Sequence, residues 1–434
     1  MSTIVRARVA HTPRNPFATD GALEVFEDGG LAFADGRILG CGRFGDVQAG
    51  HPEAEILDAR DTILLPGFVD CHVHYPQIGV IGSMGLELLE WLRSRCLPEE
   101  ARLADSGYAA SAAERFVRGL AANGTTTALV FGSHFPAAQE ALFAAAAASG
   151  LRVASGLVVA DRRLLPSLHV SAAEAFEASV GLIERWHGRG LIRYAVTPRF
   201  SVSCSDEMLD ACGELLRSAD GLLLTTHLNE TVREVEVVAS LFPGARDYLD
   251  TYERDGLVGE RSVFAHDVHV SDHELGRLAA ADAAVAHCPS SNAFLGSGLF
   301  PLRRHVDAGI RVGLGTDVGA GTGLSLLKEG LAAHDVQMLL GGEGVRLSPA
   351  HVLWLATAGG ALALGLADEV GDLSVGKSAD FVLVRPPAQS TLAAVLECSE
   401  SAEQALGAVF TLAREESIAE ARVAGNVVWP GRVG

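Results

Sequence analysis

Paired cysteines, an excess of positive charge and long apolar runs are all missing from this 434-residue chain. Its 7 cysteines are scattered and form no Cys-x-x-Cys pair, which argues against a zinc ribbon or a redox pair. A formal net charge of −20 argues against a nucleic-acid or anionic-membrane surface, since both need a basic footprint. There is no run long enough to cross a bilayer and no recognisable signal peptide, so we expect a cytoplasmic protein with a small-molecule ligand.

Two motifs that would indicate other chemistry are also missing. The sequence has no Pro-Cys-x-x-Cys motif, which the small cytidine-deaminase type of zinc site needs for two of its ligands. The opening strand lacks a Gly-x-Gly-x-x-Gly turn, so nothing indicates dinucleotide binding. Any bound metal is therefore expected to have nitrogen and oxygen ligands.

The hydrophobic pattern divides the chain into three stretches. Residues 1–62 and 365–434 carry short strand-like runs, and we predict that they pack together as one discontinuous β domain. In the last stretch the predicted strands are 381–384, 408–411 and 423–428. Residues 63–364 alternate apolar strands with helical stretches, predicted at 107–122, 135–149, 171–187, 205–217, 272–280 and 325–340. Repeated strand-helix units indicate a parallel sheet or barrel.

The central motif of the chain is a His-x-His pair. The apolar run 63–65 leads into residues 66–74, which we interpret as one buried strand that ends in His72 and His74. Because side chains alternate along a strand, both imidazoles share a face and could bind one metal ion. Neutral imidazole suits zinc, with iron, copper and nickel as alternatives.

Other polar residues also stand where apolar strands end. From Arg199 onward the intervals between them are those of successive strand-loop-helix units, and the carboxyl ends of all strands of a (β/α)8 barrel meet on one face. A doubly wound open sheet is the alternative.

Glu230, three positions after a strand-end histidine, could transfer protons beside a metal, whereas an aspartate after Gly-Thr could merely cap a helix. The strand-end residues after His74 are Arg199, His227, His266, His287 and Asp317.

Several further residues receive structural interpretations. We expect His287 to support its loop and Asn292 to orient its neighbours. Neither Cys71 nor Cys288 has a setting that indicates a reactive thiolate. The histidines expected on solvated helix or loop surfaces are His269, His273 and His305.

The motif Pro-Gly-Phe-Val-Asp-x-His-x-His at 66–74 resembles the opening motif of the amidohydrolase superfamily. Further segments narrow the resemblance to the branch of that superfamily that deaminates guanine, and the similarity spans nearly the whole chain. These segments are His-Tyr-Pro-Gln at 74–77, Leu-Leu-Glu-Trp-Leu at 88–92, Asn-Gly-Thr-Thr-Thr at 123–127, Thr-Pro-Arg-Phe-Ser at 197–201, His-Leu-x-Glu at 227–230, Phe-Ala-His at 264–266, Cys-Pro-Ser-Ser-Asn at 288–292 and Gly-Leu-Gly-Thr-Asp-Val-Gly at 313–319.

The resemblance implies a fold, a cofactor and a set of site residues. The fold would be an α/β, TIM-like (β/α)8 barrel over 63–364 with a β-sandwich formed by 1–62 and 365–434, assembled as a homodimer. The reaction would convert guanine and water into xanthine and ammonia. One Zn²⁺ per chain would be bound by His72, His74, His227 and Asp317. The catalytic residues would be Glu230, His266 and Asp317, with His266 at the metal-bound water. The substrate contacts would be His74, Gln77, Arg199, Phe200, His227, Glu230 and Asp317.

The sequence departs from the family pattern at Arg163, Asn229, Thr231 and Asp267, none of which is a predicted ligand. Another superfamily hydrolase, acting on a different aminated heterocycle or a cyclic amide, would keep the metal site and differ at the substrate contacts. Arg199 could instead be a barrel-rim residue paired with an acid. A non-catalytic barrel scaffold would be expected to have lost metal ligands, and all of them are present here.

Overall fold

The backbone of this computed structural model, which describes residues 2–431, forms two β-sheets and a set of surrounding helices. The strands are β1 Thr3–His11, β2 Glu24–Ala34, β3 Arg37–Arg43, β4 Glu55–Pro66, β5 Phe68–His74, β6 Thr125–Phe131, β7 Arg152–Gly156, β8 Val158–Val159, β9 Ile192–Pro198, β10 Leu223–Leu228, β11 Ser262–His266, β12 Ala284–His287, β13 Arg311–Leu314, β14 Phe381–Val384, β15 Ile418–Val423 and β16 Asn426–Trp429. The α-helices are α1 Phe44–Gly50, α2 Leu88–Trp91, α3 Leu97–Ala101, α4 Ser106–Ala122, α5 Pro136–Ser149, α6 Ala172–Trp186, α7 Asp206–Arg217, α8 Val232–Leu241, α9 Asp250–Glu253, α10 Asp272–Ala280, α11 Pro289–Phe294, α12 Leu302–Asp307, α13 Leu326–Leu339, α14 Pro349–Ala356, α15 Ala358–Ala363, α16 Thr391–Glu397 and α17 Ala402–Leu412.

The first sheet joins the two ends of the chain. Its strand order is β16-β15-β14-β4-β1-β2-β3, and β14 pairs antiparallel with β4. The run 63–65, predicted to lead straight into the His-x-His strand, belongs to β4 of this sheet. The chain leaves that sheet at Gly67, where a Cβ atom would lie 2.2 Å from the Thr126 hydroxyl oxygen. β4 continues from Glu55 to Pro66 and so crosses the predicted domain limit between residues 62 and 63. The limits of the two domains remain a prediction.

The predicted strand at 408–411 is wrong, because these residues belong to α17. The buried positions of this helix include Ala405, Leu406, Val409 and Phe410, which is the spacing of one helical face rather than the alternation of a strand. Its N-terminus is capped by the Ser401 hydroxyl. The predicted strand at 423–428 is two strands, since positive φ angles at residues 424 and 425 form a turn between β15 and β16.

The helices of the barrel region agree with the hydrophobic pattern. The predicted stretches correspond to α4, α5, α6, α7, α10 and α13, and their limits differ by one residue at most. Ser171 and Glu174 form a capping box that fixes the start of α6. Within residues 2–431, no helix combines the length and the apolar character that a bilayer crossing requires.

The second sheet is a nearly closed parallel barrel. Its strand order is β5-β6-β7-β9-β10-β11-β12-β13, with β8 paired to β9. The Asp317 N–H donates to the His72 carbonyl at 2.8 Å, and the His74 N–H donates to the Val318 carbonyl at 3.0 Å. These two bonds join the first strand to the segment after the last one, so the predicted barrel is confirmed over the open sheet.

Asp70 reinforces this junction between β5 and the segment after β13. Its two carboxylate oxygens accept hydrogen bonds from the Thr316 N–H at 3.0 Å and from the Thr316 hydroxyl at 2.6 Å. The His72 N–H donates to the same carboxylate at 3.2 Å. We call the contacts of Asp70, His72, His74, Thr316, Asp317 and Val318 the closing seam.

The interior of the barrel is filled by small and medium apolar side chains, and α15 covers its amino-terminal end. At Gly313 of β13, a Cβ atom would lie 2.4 Å from the Cys71 sulfur and 2.8 Å from the Gly360 Cα of α15. Burial raises the pKa of both Cys71 and Cys288 well above the ordinary value, as expected for unreactive thiols.

We expect Gly313→Ala to destabilise the fold by about 1–3 kcal/mol, because the barrel interior has no space for the added methyl group. Gly276→Ala in α10 is the matched control, since a Cβ there meets no atom within 4 Å. It should be neutral or stabilise by roughly 0.5–1 kcal/mol. Urea unfolding followed by circular dichroism measures both changes, and equal midpoints for the two variants would contradict this account of the packing.

Candidate active site

A pocket opens at the carboxyl ends of the barrel strands. Except for His72, which lies beneath it and is 1% exposed, every predicted metal, catalytic and substrate residue lines this pocket. The lining residues are His74, Gln77, Leu88, Trp91, Leu92, Arg199, Phe200, His227, Glu230, His266, Leu295, Asp317 and Ala320.

The four predicted ligands, His72, His74, His227 and Asp317, converge beneath this pocket. One ligand atom from each lies within 4.8 Å of the others. His74 Nε2 lies 3.0 Å from His72 Nε2 and 3.3 Å from His227 Nε2. Asp317 Oδ1 lies 3.3 Å from His72 Nε2 and 3.1 Å from His74 Nε2. We call these four side chains the donor cluster.

The charges of the donor cluster suit a cation. Burial lowers the pKa of all three imidazoles, that of His74 to about 4, so they are neutral at pH 7. Burial alone would raise the pKa of Asp317, but hydrogen bonds from His72 and His74 keep it well below the usual value. Neutral nitrogens and a carboxylate that face one point match the ligands that zinc prefers.

His227 has its ring orientation fixed by the backbone. Its Nδ1 lies 2.8 Å from the Arg199 carbonyl oxygen. Because a carbonyl oxygen can only accept, Nδ1 carries the proton, and Nε2 is left with a lone pair that faces the donor cluster.

His266 stands beside the donor cluster at the end of β11, with a φ of 74°. Its Nε2 lies 3.6 Å from Glu230 Oε2 and 3.8 Å from Asp317 Oδ2, and this buried atom has no hydrogen-bond partner within residues 2–431. Its Nδ1 lies 2.9 Å from Asn292 Oδ1. Asn292 therefore orients His266, as the sequence predicts.

Glu230 follows β10 at the start of the turn into α8. Its Oε1 accepts a hydrogen bond from the Ser297 hydroxyl at 3.1 Å, and its N–H donates to Glu234 Oε2 at 3.0 Å. Burial, with a smaller contribution from the charge of Asp317, raises the pKa of Glu230 to about 8. The carboxyl group is therefore protonated near neutral pH and can act as an acid.

Sequence reasoning assigned no role to four supporting residues on this side of the pocket, Ser290, Ser291, Ser297 and Glu329. The Ser291 hydroxyl donates to Asp317 Oδ2 at 2.6 Å, and the Ser290 hydroxyl donates to Glu329 Oε1 at 2.6 Å. The segment 290–297 therefore contacts all three predicted catalytic side chains: Asp317 through Ser291, His266 through Asn292 and Glu230 through Ser297. The Cys-Pro-Ser-Ser-Asn motif marked the start of this segment, but no spacing pattern indicated Ser297 or Glu329.

The opposite wall carries the predicted substrate contacts Gln77, Arg199 and Phe200. Arg199 Nη1 donates to Glu100 Oε2 at 2.7 Å, and Gln77 Nε2 donates to Glu100 Oε1 at 2.8 Å. Arg199 is thus paired with an acid and also lines the pocket. This geometry is compatible with both a structural ion pair and a substrate contact. Glu100 was missed because it lies 99 positions from Arg199 in the sequence.

The four histidines that received structural interpretations from the sequence fall into two groups. His269 and His273 are exposed as predicted. His287 is buried against the Phe300 ring, whose centroid is 4.3 Å away, and burial lowers its pKa to about 3. The prediction for His305 is wrong, because this residue is fully buried between Phe300 and Asp267. Its helix, α12, packs inward, which a single histidine in a polar stretch does not reveal.

The departures from the family pattern have local partners. Asn229 Nδ2 donates to Asp267 Oδ1 at 3.0 Å, so two of these positions contact each other. Thr231 accepts a hydrogen bond from the Glu234 N–H at 3.1 Å and caps α8. Arg163 has a φ of 57° in the loop after β8.

Comparison with known proteins identifies the class. Residues 63–428 match the model of the amidohydrolase family, and the chain belongs to that family. It is 57% identical to a Deinococcus radiodurans protein named "Probable guanine deaminase", over 98% of each chain. Escherichia coli guanine deaminase superposes with a TM-score of 0.94 at 37% identity, covering 99% of both chains. The guanine deaminase from C. acetobutylicum, with guanine bound in its active site, superposes with a TM-score of 0.90 at 28% identity, covering 99% of this chain and 100% of that one.

The donor cluster predicts about one metal ion per chain, lost in His72→Ala because three ligands bind far more weakly than four. The exposed His273 supplies the control variant His273→Ala, which should keep its metal. Elemental analysis of dialysed protein measures the metal content. Equal metal content in the two variants would place the ion elsewhere.

Proposed function

We propose that this protein is a zinc-dependent hydrolase that converts guanine and water into xanthine and ammonia. The observation that carries this proposal is a single pocket with the donor cluster at its base and a buried arginine in its opposite wall. The full-length similarity to guanine deaminases supports the same reaction. Incubation with guanine, with xanthine and ammonia as measured products, tests it directly.

The metal part of the proposal rests on the chemistry of the donor cluster. Three neutral imidazole nitrogens and one carboxylate oxygen suit zinc, and the proposed ligands are His72, His74, His227 and Asp317. Bound zinc would lower the pKa of a water molecule toward about 7 and so supply a hydroxide nucleophile.

The chain's own residues would then direct the nucleophile and move the protons. Asp317 Oδ2 and His266 Nε2 would orient the attacking oxygen toward C2 of the purine. Glu230, protonated near neutral pH, would donate its proton to N3 as the tetrahedral carbon forms. Asp317 would take the proton of the attacking oxygen and pass it to the amino group, which leaves as ammonia. The raised pKa of Glu230 supports its role as the acid.

Recognition is assigned to the opposite wall. With C2 at the base of the pocket, guanine would point O6 and N7 toward Arg199, whose fork matches two neighbouring acceptors. Gln77 Oε1 accepts a hydrogen bond from the Gly319 N–H at 3.0 Å and keeps a second lone pair for a ring N–H. Phe200, 5% exposed in the pocket wall, would contact the purine ring.

Two alternatives to this function remain, another hydrolytic activity and a non-catalytic role. A superfamily hydrolase for another aminated heterocycle would use the same donor cluster, and its activity on guanine would be far lower than on its own substrate. A non-catalytic scaffold is disfavoured by the complete donor cluster.

We also propose a cytoplasmic homodimer, on the family resemblance and the acidic composition, and light scattering in solution tests the assembly.

Glu230→Gln keeps the side-chain shape but cannot donate and regain a proton. We expect turnover of guanine to fall by roughly 10²–10⁴ while the metal content stays unchanged. Glu236→Gln, at an exposed position of α8, the helix that follows Glu230, is the control and should keep full turnover. If Glu230→Gln loses less than about tenfold, another group is the acid.

Arg199→Ala should reduce kcat/KM for guanine far more than for 2-aminopurine, which lacks O6. An unpaired buried polar group normally generates such discrimination, and we expect a difference of about 10²-fold or more between the two losses. The backbone contact to His227 is unchanged in this variant. Arg193→Ala, near the start of β9, the strand that immediately precedes Arg199, is the control. Equal losses on both substrates would mean that Arg199 supports the fold instead.

A further inference from the structure

Glu100 lies directly behind the pocket wall that carries Arg199 and Gln77. It belongs to α3 and is 3% exposed. Its Oε2 accepts from Arg199 Nη1 at 2.7 Å, and its Oε1 accepts from Gln77 Nε2 at 2.8 Å. One buried carboxylate therefore binds both polar side chains proposed to recognise the substrate.

The surroundings of Glu100 keep it ionised. The Cys96 thiol donates to Oε1 at 3.3 Å, and His134 Nε2 lies 3.3 Å from Oε2. Burial alone would raise the pKa of Glu100, but the charge of Arg199 and the hydrogen bond from His134 keep it well below the usual value. The carboxylate is thus an anion held against a guanidinium cation.

Arg199 depends on this anion for its place in the wall. It is 2% exposed, and Glu100 is its carboxylate partner. Arg199 Nη2 also donates to the Cys96 sulfur at 3.4 Å. A buried guanidinium without a counter-charge is strongly disfavoured, so the side chain would move toward water if Glu100 lost its charge. The N–H groups that neither Glu100 nor Cys96 binds would then no longer be held at a fixed position in the pocket wall.

We propose that Glu100 is a positioning residue for substrate recognition, which orients Arg199 and Gln77 together through the two oxygens of one carboxylate. The inference rests on the proposed deamination of guanine, because it assigns Glu100 a role in presenting donors to O6 and N7. Glu100 does not line the pocket and acts through its two neighbours.

The adjacent residue provides a matched control. Glu99 lies on the same helix and is 8% exposed, but its carboxylate binds Arg102 Nη1 at 2.8 Å and the Tyr108 hydroxyl. Glu99→Gln therefore removes the same charge from the same helix without touching Arg199 or Gln77.

The experiment measures kcat and KM on guanine and on 2-aminopurine for the zinc-loaded wild type, Glu100→Gln and Glu99→Gln. For Glu100→Gln we expect kcat/KM on guanine to fall by about 10–10²-fold, mainly through KM, with unchanged metal content. The loss on 2-aminopurine should be less than about threefold, and Glu99→Gln should change neither value by more than that.

A second comparison asks whether Glu100 acts through Arg199. In an Arg199→Ala background, adding Glu100→Gln should cause a smaller loss of kcat/KM than it causes in the wild type, because Gln77 alone is left for Glu100 to position. If Glu100→Gln does not yield folded protein, Glu100→Asp is the second variant. It keeps the charge, but its shorter side chain moves the carboxylate away from Arg199 and Gln77, so it should give the same selective loss on guanine.

The outcomes separate this inference from the function on which it rests. A wild-type protein without activity on guanine removes both. An active wild type in which Glu100→Gln behaves like Glu99→Gln, loses activity equally on both substrates, or adds its full loss to Arg199→Ala overturns the positioning role alone.

Discussion

The closing seam is the constraint on which the rest of the site depends. The donor cluster contains side chains from the first barrel strand and from the segment after the last one, so it exists only if the barrel closes there. Backbone bonds between His72 and Asp317, and between His74 and Val318, bring these segments together. Asp70 ties Thr316 to the same strand through a buried carboxylate, directly behind the ligands. The donor cluster is therefore complete only when the barrel is closed.

The pocket has two electrostatic halves that share a common wall. At its base, neutral imidazoles and the ionised Asp317 leave a net negative charge that favours a cation. On the opposite side, Glu100 neutralises Arg199, so that side presents directional N–H groups rather than an excess of positive charge. Between them lies Glu230, whose carboxyl group burial keeps protonated near neutral pH. This order suits a neutral purine, which must be gripped by hydrogen bonds on one edge and attacked on the other.

The sequence was sufficient for the barrel because strand-helix alternation is a local pattern, and the resemblance to the amidohydrolase superfamily supplied the four residues of the donor cluster. Strand-helix alternation located the six helices tested, and histidines at strand ends are meaningful once the fold places all those ends together. The supporting residues were not predictable in this way. Glu100, Ser297 and Glu329 reach the site only through contacts across large sequence separations, and none carries a motif of its own. The misassigned run at 408–411 and the buried His305 show the same limit, since local sequence does not reveal which neighbour a short element will pack against.

Arg199 contributes two unrelated groups to the two halves of the pocket. Its carbonyl oxygen fixes the ring of His227 toward the donor cluster, and its side chain reaches Glu100 on the recognition side. Every amino acid has a carbonyl group, whereas only arginine has the guanidinium. Replacement of Arg199 would therefore remove the proposed recognition group while the backbone carbonyl that orients His227 stays in place. The orientation of this metal ligand therefore does not depend on which side chain stands at position 199, whereas the charge balance of the opposite wall does.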